Sequence, residues 1–189
     1  MAAKSTLANM VLCLTGVCFV CAAILGAVYA VTKEPIEAAA AAEARAAVGR
    51  VLPEGGEISE AIPADAPGIK EYYVQSRDGS VSAYAVKSVA GGFGGDLVLM
   101  VGVLPDGSIF NTSVLSHSET PGLGAKCTEE KSRFREQWKG FSGSFAVTKD
   151  GGDVDAITAS TITSRAYARA VGNASGFVTA LQKAKTVEE

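Results

Sequence analysis

The chain has 189 residues, 17 Lys and Arg against 20 Asp and Glu for a formal charge of −3, one His and four Cys. With 48% hydrophobic and 20% charged residues it can bury a sizeable core, which excludes wholesale disorder. A mildly acidic balance without any Lys/Arg stripe excludes a nucleic-acid partner, and a single His excludes a multi-histidine metal site.

No residue from Ser5 to Thr32 carries a charge. As helix this stretch measures roughly 42 Å at 1.5 Å per residue, whereas a bilayer core of about 30 Å needs only ~20 residues. Residues 1–32 are therefore predicted to be a transmembrane anchor in the lipid bilayer. Lys4 and the α-amino group precede it, and Lys33 and Glu34 cancel after it, so the positive-inside rule leaves the amino terminus cytoplasmic and the rest of the chain outside. The rival reading is a cleaved signal peptide, with Val28-Tyr29-Ala30 as the small-residue cleavage spacing; an apolar run above 20 residues favours the retained anchor. Cys13, Cys18 and Cys21 fall within the span and are read as small apolar residues. Cys127 is then the only thiol of the soluble part, so no intradomain disulfide is expected there.

Residues 33–68 are predicted to be a stalk and linker. Pro35 to Arg50 reads as an exposed Ala-rich helix with Pro in its first turn. Pro53, Gly55, Gly56, Pro63, Pro67 and Gly68 then interrupt the chain too often for a regular element. The domain proper is expected over 69–189. Lys70 to Ser76 and the alternation from Val81 to Val86 form a hairpin about Arg77-Asp78-Gly79. Leu97 to Leu104 and Ser108 to Ser116 form another about Pro105-Asp106-Gly107, its first strand apolar enough to be central. Cys127 to Trp138 has helical spacing, Phe145 to Thr148 and Val154 to Thr158 read as short strands, and Ser160 to Lys183 as a long helix. Paired strands followed by helices define an α+β fold: an antiparallel sheet with flanking helices.

Three local sequences invite chemistry. Gly91-Gly92-Phe93-Gly94-Gly95 precedes a strand instead of opening a helix, so it suits a hairpin connection better than a phosphate loop. His117-Ser118-Glu119-Thr120-Pro121-Gly122-Leu123-Gly124 places the only His, a carboxylate and a rigid Pro-Gly turn within eight residues, a plausible ligand wall; a lone His such as His117 is more often structural. Asp155 to Ser164 crowds hydroxyls at a helix start, where Ser160 or Thr161 would ordinarily be an N-cap. No Glu or Gln stands three residues after Ser160 to complete a capping box. Arg165 and Arg169 in the opening turns oppose the helix dipole unless an anion is held there, and a phosphate with the arginines as partners is the natural occupant.

These residues carry a resemblance. Thr158-Ala159-Ser160-Thr161-Ile162-Thr163 resembles the S-G-A-T-x-T flavinylation signature of the FMN-binding domain. That domain is shared by the G subunit of Rnf electron-transport complexes and the C subunit of sodium-pumping NADH:quinone reductase. Glu119 to Gly124 matches the family's E-T-P-G-L-G segment without change, and Asp155 precedes the signature as in that family. The departures are Thr158 for Ser, Ala159 for Gly and Ser160 for Ala. Ala159 matters if the backbone there needs a positive φ.

The resemblance implies FMN esterified through its phosphate to Thr163 by a separate flavin transferase that uses FAD and Mg²⁺. It implies Thr158, Ala159, Ser160 and Thr161 around the phosphate, and Glu119, Thr120, Gly122 and Leu123 along the ring. The chain would be a membrane-anchored electron-transfer subunit of an ion-translocating ferredoxin:NAD⁺ oxidoreductase. It would work with other membrane and peripheral subunits and without stand-alone activity, resident metal or iron–sulfur centre. Asp155 is left as either a ligand of the transferase metal or a cap of the strand-to-helix turn. The alternatives are the quinone-reductase C subunit, which the shortness of the chain disfavours, and an anchored envelope module without a redox group.

Overall fold

The computed structural model describes residues 6–188, so Lys4 and the amino terminus, on which the predicted orientation rests, lie outside the described residues. A single helix, α1, runs Leu7–Val51. Pro35 sits inside it and not at a helix start, at the cost of the bond that a Pro lacking N–H cannot donate to the Val31 carbonyl. The chain divides into one unit ending at Ala42 and another beginning at Glu43. In the first, large apolar side chains such as Leu12, Phe19 and Leu25 stand fully open on the helix, which is long and apolar enough to cross a membrane.

In the second unit the strands are β1 (Glu57–Ile58), β2 (Ile62–Ala66), β3 (Ile69–Arg77), β4 (Ser80–Gly91), β5 (Asp96–Val103) and β6 (Ile109–Ser116). All pair antiparallel in one sheet of order β1-β3-β4-β5-β6, with β2 also on β3. Both predicted hairpins are present. The first turns at Asp78 and Gly79, both with positive φ, which a two-residue hairpin requires and an Asp-Gly pair tolerates. The glycine cluster joins β4 to β5, with the Gly92 amide donating to the Gly95 carbonyl.

Alternation along β4 and β5 sorts the core into two layers. Tyr84, Val86, Leu97, Leu99, Val101 and Val103 face one way and pack with the long helix α3 (Thr161–Glu188) through Ala166, Tyr167, Ala170, Val171, Ala174 and Val178. Ser88 ties this layer by donating from Oγ to the Ala170 carbonyl at 2.7 Å. Ala83, Ala85 and Met100 face the other way, against Ala44, Ala47, Val48, Val51 and Leu52.

Four expectations need correction. Residues 57–66 are not linker: β1 and β2 lie on the outer edge of β3, where Pro63 is tolerated because an edge strand need not donate on both sides. The end of the predicted stalk is not exposed either, since Ala44, Ala47, Val48 and Val51 are buried in the second core layer. And 145–158 contains no strands, only the isolated parallel bridge Val147↔Val154 around a 3-10 turn at Thr148–Asp150. Cys127 to Trp138 likewise resolves into a 3-10 turn, Gly124–Thr128, and the short helix α2, Arg133–Glu136. Behind them Trp138 stacks on Tyr167 with ring centroids 5.4 Å apart. Tyr167 donates from its hydroxyl to Thr112 Oγ1 at 2.7 Å, and burial pushes its phenol up to about 12.

Candidate cofactor site

The chain reaches the start of α3 through a turn that local polar groups hold closed. Gln137 brackets Asp155, its Oε1 accepting from the Asp155 amide at 2.8 Å and its Nε2 donating to the Asp155 carbonyl at 3.1 Å. Ser164 Oγ accepts from the Ile157 amide at 2.9 Å and donates to the Ser160 carbonyl at 2.9 Å. Capping of this turn therefore falls to Ser164 and Gln137, not to Asp155, whose side chain is exposed. Ala159 completes the turn at φ 62, the left-handed region that an Ala adopts only under constraint.

This geometry throws Thr163 inward. Thr163 is 2% exposed and its hydroxyl donates to Glu119 Oε2 at 2.7 Å; Glu119 is itself 6% exposed. The other carboxylate oxygen accepts the Phe93 amide at 2.8 Å, so the glycine hairpin, the loop after β6 and the start of α3 converge on one carboxylate. Glycines make the space. A Cβ on Gly92 would overlap Glu119 Oε1, and one on Gly124 would stand 2.5 Å from Oε2 and 2.6 Å from Thr163 Oγ1. The loop between is shaped by Pro121-Gly122, with Gly122 at φ 77 and the Thr120 carbonyl accepting the Leu123 amide at 3.2 Å, as a type II turn demands. His117 is structural here: its Nδ1 accepts the Glu119 amide at 3.2 Å.

In front of the Thr163–Glu119 pair lies a cavity of about 350 Å³. Its rim is apolar and open, with Phe93 68%, Leu123 43% and Ile162 51% exposed. Its floor is polar: Ser160 Oγ is buried without a hydrogen-bond partner, and the amides that open α3 have no acceptor one turn back. Of the residues expected here, Thr163, Thr161, Ser160, Ala159, Glu119, Thr120 and Leu123 do line this cavity. Thr158 opens instead onto a neighbouring polar cavity of about 550 Å³, together with Asp155, Lys126, Arg133 and Lys149, and Gly122 lies exposed on the turn. Gly124, the last residue of the expected ligand wall, lines the cavity before Thr163 too, whereas Phe93 and Ile162 were missed, although an aromatic flanked by four glycines was a usable sign.

The arginines are not where an anion at the helix start would need them. Arg165 forks onto Asp150, Nε to Oδ2 at 2.7 Å and Nη2 to Oδ1 at 2.6 Å; this pairing holds the Asp150 carboxyl below its usual range and relieves the cation's conflict with the dipole. Arg169 lines a separate cavity beside Phe145. A cation that does reach the signature is Lys149, whose Nζ donates to Thr161 Oγ1 at 3.5 Å. Cys127 is buried behind the loop, its thiol pushed up to about 11 by burial and then by the Glu119 charge. No metal-ligating cluster occurs among the described residues.

An orphaned buried hydroxyl, free helix amides and a flat-sided apolar mouth suit a ligand with an anionic end and a planar apolar body. The match to a protein family agrees. Residues 92–176, which contain the whole site, match the FMN-binding domain family. Over 164 residues, 79% of either chain, the protein is 35% identical to the G subunit of the ion-translocating oxidoreductase complex of Haemophilus influenzae strain PittEE. It is 34% identical over 85% of either chain to the G subunit of the proton-translocating ferredoxin:NAD(+) oxidoreductase complex of Clostridium ljungdahlii. Among solved structures, NqrC of Shewanella oneidensis superposes with a TM-score of 0.47 at 26% identity, covering 60% of this chain and 61% of that one. The chain belongs to the family of G subunits of ion-translocating oxidoreductase complexes.

Proposed function

We propose that this protein is the membrane-anchored, FMN-carrying electron-transfer subunit of an Rnf-type ion-translocating complex, with FMN joined through its phosphate to Thr163. The observation that supports the reading best is the Thr163 hydroxyl itself: buried, at the first turn of α3, and facing a cavity with an unpaired Ser160 and an apolar rim. Bound there, FMN supplies the one- and two-electron redox chemistry that the side chains of this domain lack. The amides of Thr161 to Thr163 and the hydroxyl of Ser160 hold the phosphate end, with the helix dipole in their favour. Phe93, Leu123 and Ile162 exclude water from the ring.

In this reading residues 7–32 span the inner membrane, the domain lies on the extracytoplasmic side, and a separate transferase installs the flavin from FAD with Mg²⁺. The other components of the complex supply the electron donor and acceptor. Attachment has a physical reason there, since a dissociated cofactor has no cytoplasmic pool from which to be replaced.

The test uses the full chain co-expressed with a flavin transferase. The denatured protein is expected to fluoresce as flavin in a gel and to carry the FMN-phosphoryl mass. Thr163→Ala is expected to lose both while still unfolding in a cooperative transition, at a temperature lowered by the loss of one buried hydrogen bond. A fluorescent band that survives that substitution removes Thr163 from the account.

A further inference from the structure

We propose that Glu119 is the base that takes the Thr163 proton when the flavin is attached. The proposal rests on the reading that Thr163 is the attachment point. The hydroxyl already donates to Glu119 Oε2 at 2.7 Å, and the carboxylate cannot swing away, because Oε1 is held by the Phe93 amide at 2.8 Å.

The two bonds fall on different carboxylate oxygens, so the group accepts on both sides, and burying it as an anion costs several kcal/mol when no cation compensates. No Lys, Arg or His nitrogen lies within ion-pair distance of Glu119 among the described residues. Around it stand the His117 ring on its own loop, the Cys127 thiol on the following 3-10 turn, the Phe93 amide from the hairpin and the Thr163 hydroxyl from α3. Lys149 is one residue pair further off, on Thr161. His117 already uses Nδ1 as an acceptor, and Asp155 opens onto the other cavity, which leaves Glu119 as the group in position to receive the proton.

The step balances as a phosphoryl transfer. Thr163 Oγ forms a bond to the flavin-side phosphorus of FAD, and its proton passes to Glu119 Oε2. The bond from that phosphorus to the bridging oxygen breaks, and AMP leaves with the electron pair, its charge met by Mg²⁺ on the transferase. No electron is gained or lost by the flavin. Gly92 and Gly124 contribute by leaving room for the carboxylate against the hydroxyl.

The experiment follows the rate of mass gain of the full chain in detergent micelles with purified flavin transferase, FAD and Mg²⁺, across a pH series. Wild type, Glu119→Gln, Glu119→Asp and Thr163→Ala are compared, each with its melting temperature. Glu119→Gln is expected to slow labelling about 100-fold, the lower end of what a positioned base supplies. Glu119→Asp is expected to recover part of that rate. Because the transferase is common to all samples, its own pH dependence cancels in the rate ratios. Should the Gln variant not fold, the ratio of wild-type to Asp rates decides, and a ratio of about one at every pH overturns the proposal. Labelling of a folded Glu119→Gln within about twofold of wild type overturns it as well, leaving the attachment intact. No label on the wild type, or undiminished label on Thr163→Ala, removes the attachment reading and this proposal together.

Discussion

Ala159 stands at φ 62 where the family signature has Gly, so this chain holds an L side chain in a backbone region that costs about 1–2 kcal/mol. Glycine would relieve that strain but add freedom to the unfolded chain, and the two effects oppose each other. Ala159→Gly is therefore expected to change stability by less than about 1 kcal/mol, and Ala159→Val, branched at Cβ, to lose about 1–3 kcal/mol. Urea midpoints of the purified chain measure both, and indistinguishable midpoints for Ala and Val would mean that the turn is not held left-handed in solution. The requirement for a positive φ was foreseeable from the motif. The unpaired Ser160 hydroxyl and the Asp150 fork on Arg165 were not, because both depend on what folds over the helix start from elsewhere.

Where the end of α1 meets the sheet, Gly102 on β5 leaves no room for a side chain: a Cβ there would overlap the Val51 carbonyl oxygen. Backbone cannot retreat as a flexible side chain can, so Gly102→Ala is expected to cost about 3 kcal/mol, the upper end for overpacked sites. Thermal unfolding by circular dichroism tests this, and a variant melting with the wild type would show that helix and strand are not in contact. The same contact explains what sequence reading gained and lost. Hairpins closed by Asp78-Gly79 and Pro105-Asp106-Gly107 were legible because turn chemistry and alternation are both local. The Ala-rich stretch at 43–51 looked like exposed stalk because small side chains carry little hydrophobic signal, yet that smallness lets the helix lie close against Ala83, Ala85 and Gly102. β1 and β2 were hidden by their glycines and prolines, which edge strands tolerate. The stretch 145–158 imitated strands with short apolar runs that only loop past one another.

For the molecule as a whole, the boundary at Glu43 predicts where it can be divided. A chain beginning at Glu43 is expected to unfold in one cooperative step. One beginning at Ile69 loses Val48, Val51 and Leu52 from the second core layer, about 5–9 kcal/mol at about 1.5–3 kcal/mol each, which rivals the entire stability of an ordinary domain. That shorter chain is expected to aggregate or bind a hydrophobic dye, and a sharp unfolding transition from it would contradict the two-layer core. Both halves of the site were readable as motifs, the loop at Glu119 and the signature ending at Thr163. Their meeting was not, since 44 residues separate the hydroxyl from the carboxylate it touches. That separation has a consequence for maturation. Under the proposed attachment at Thr163, neither segment alone presents the paired group, so an enzyme seeking a hydroxyl already resting on its carboxylate meets one only on chains that have finished closing, and prosthetic loading would double as an inspection of the finished product.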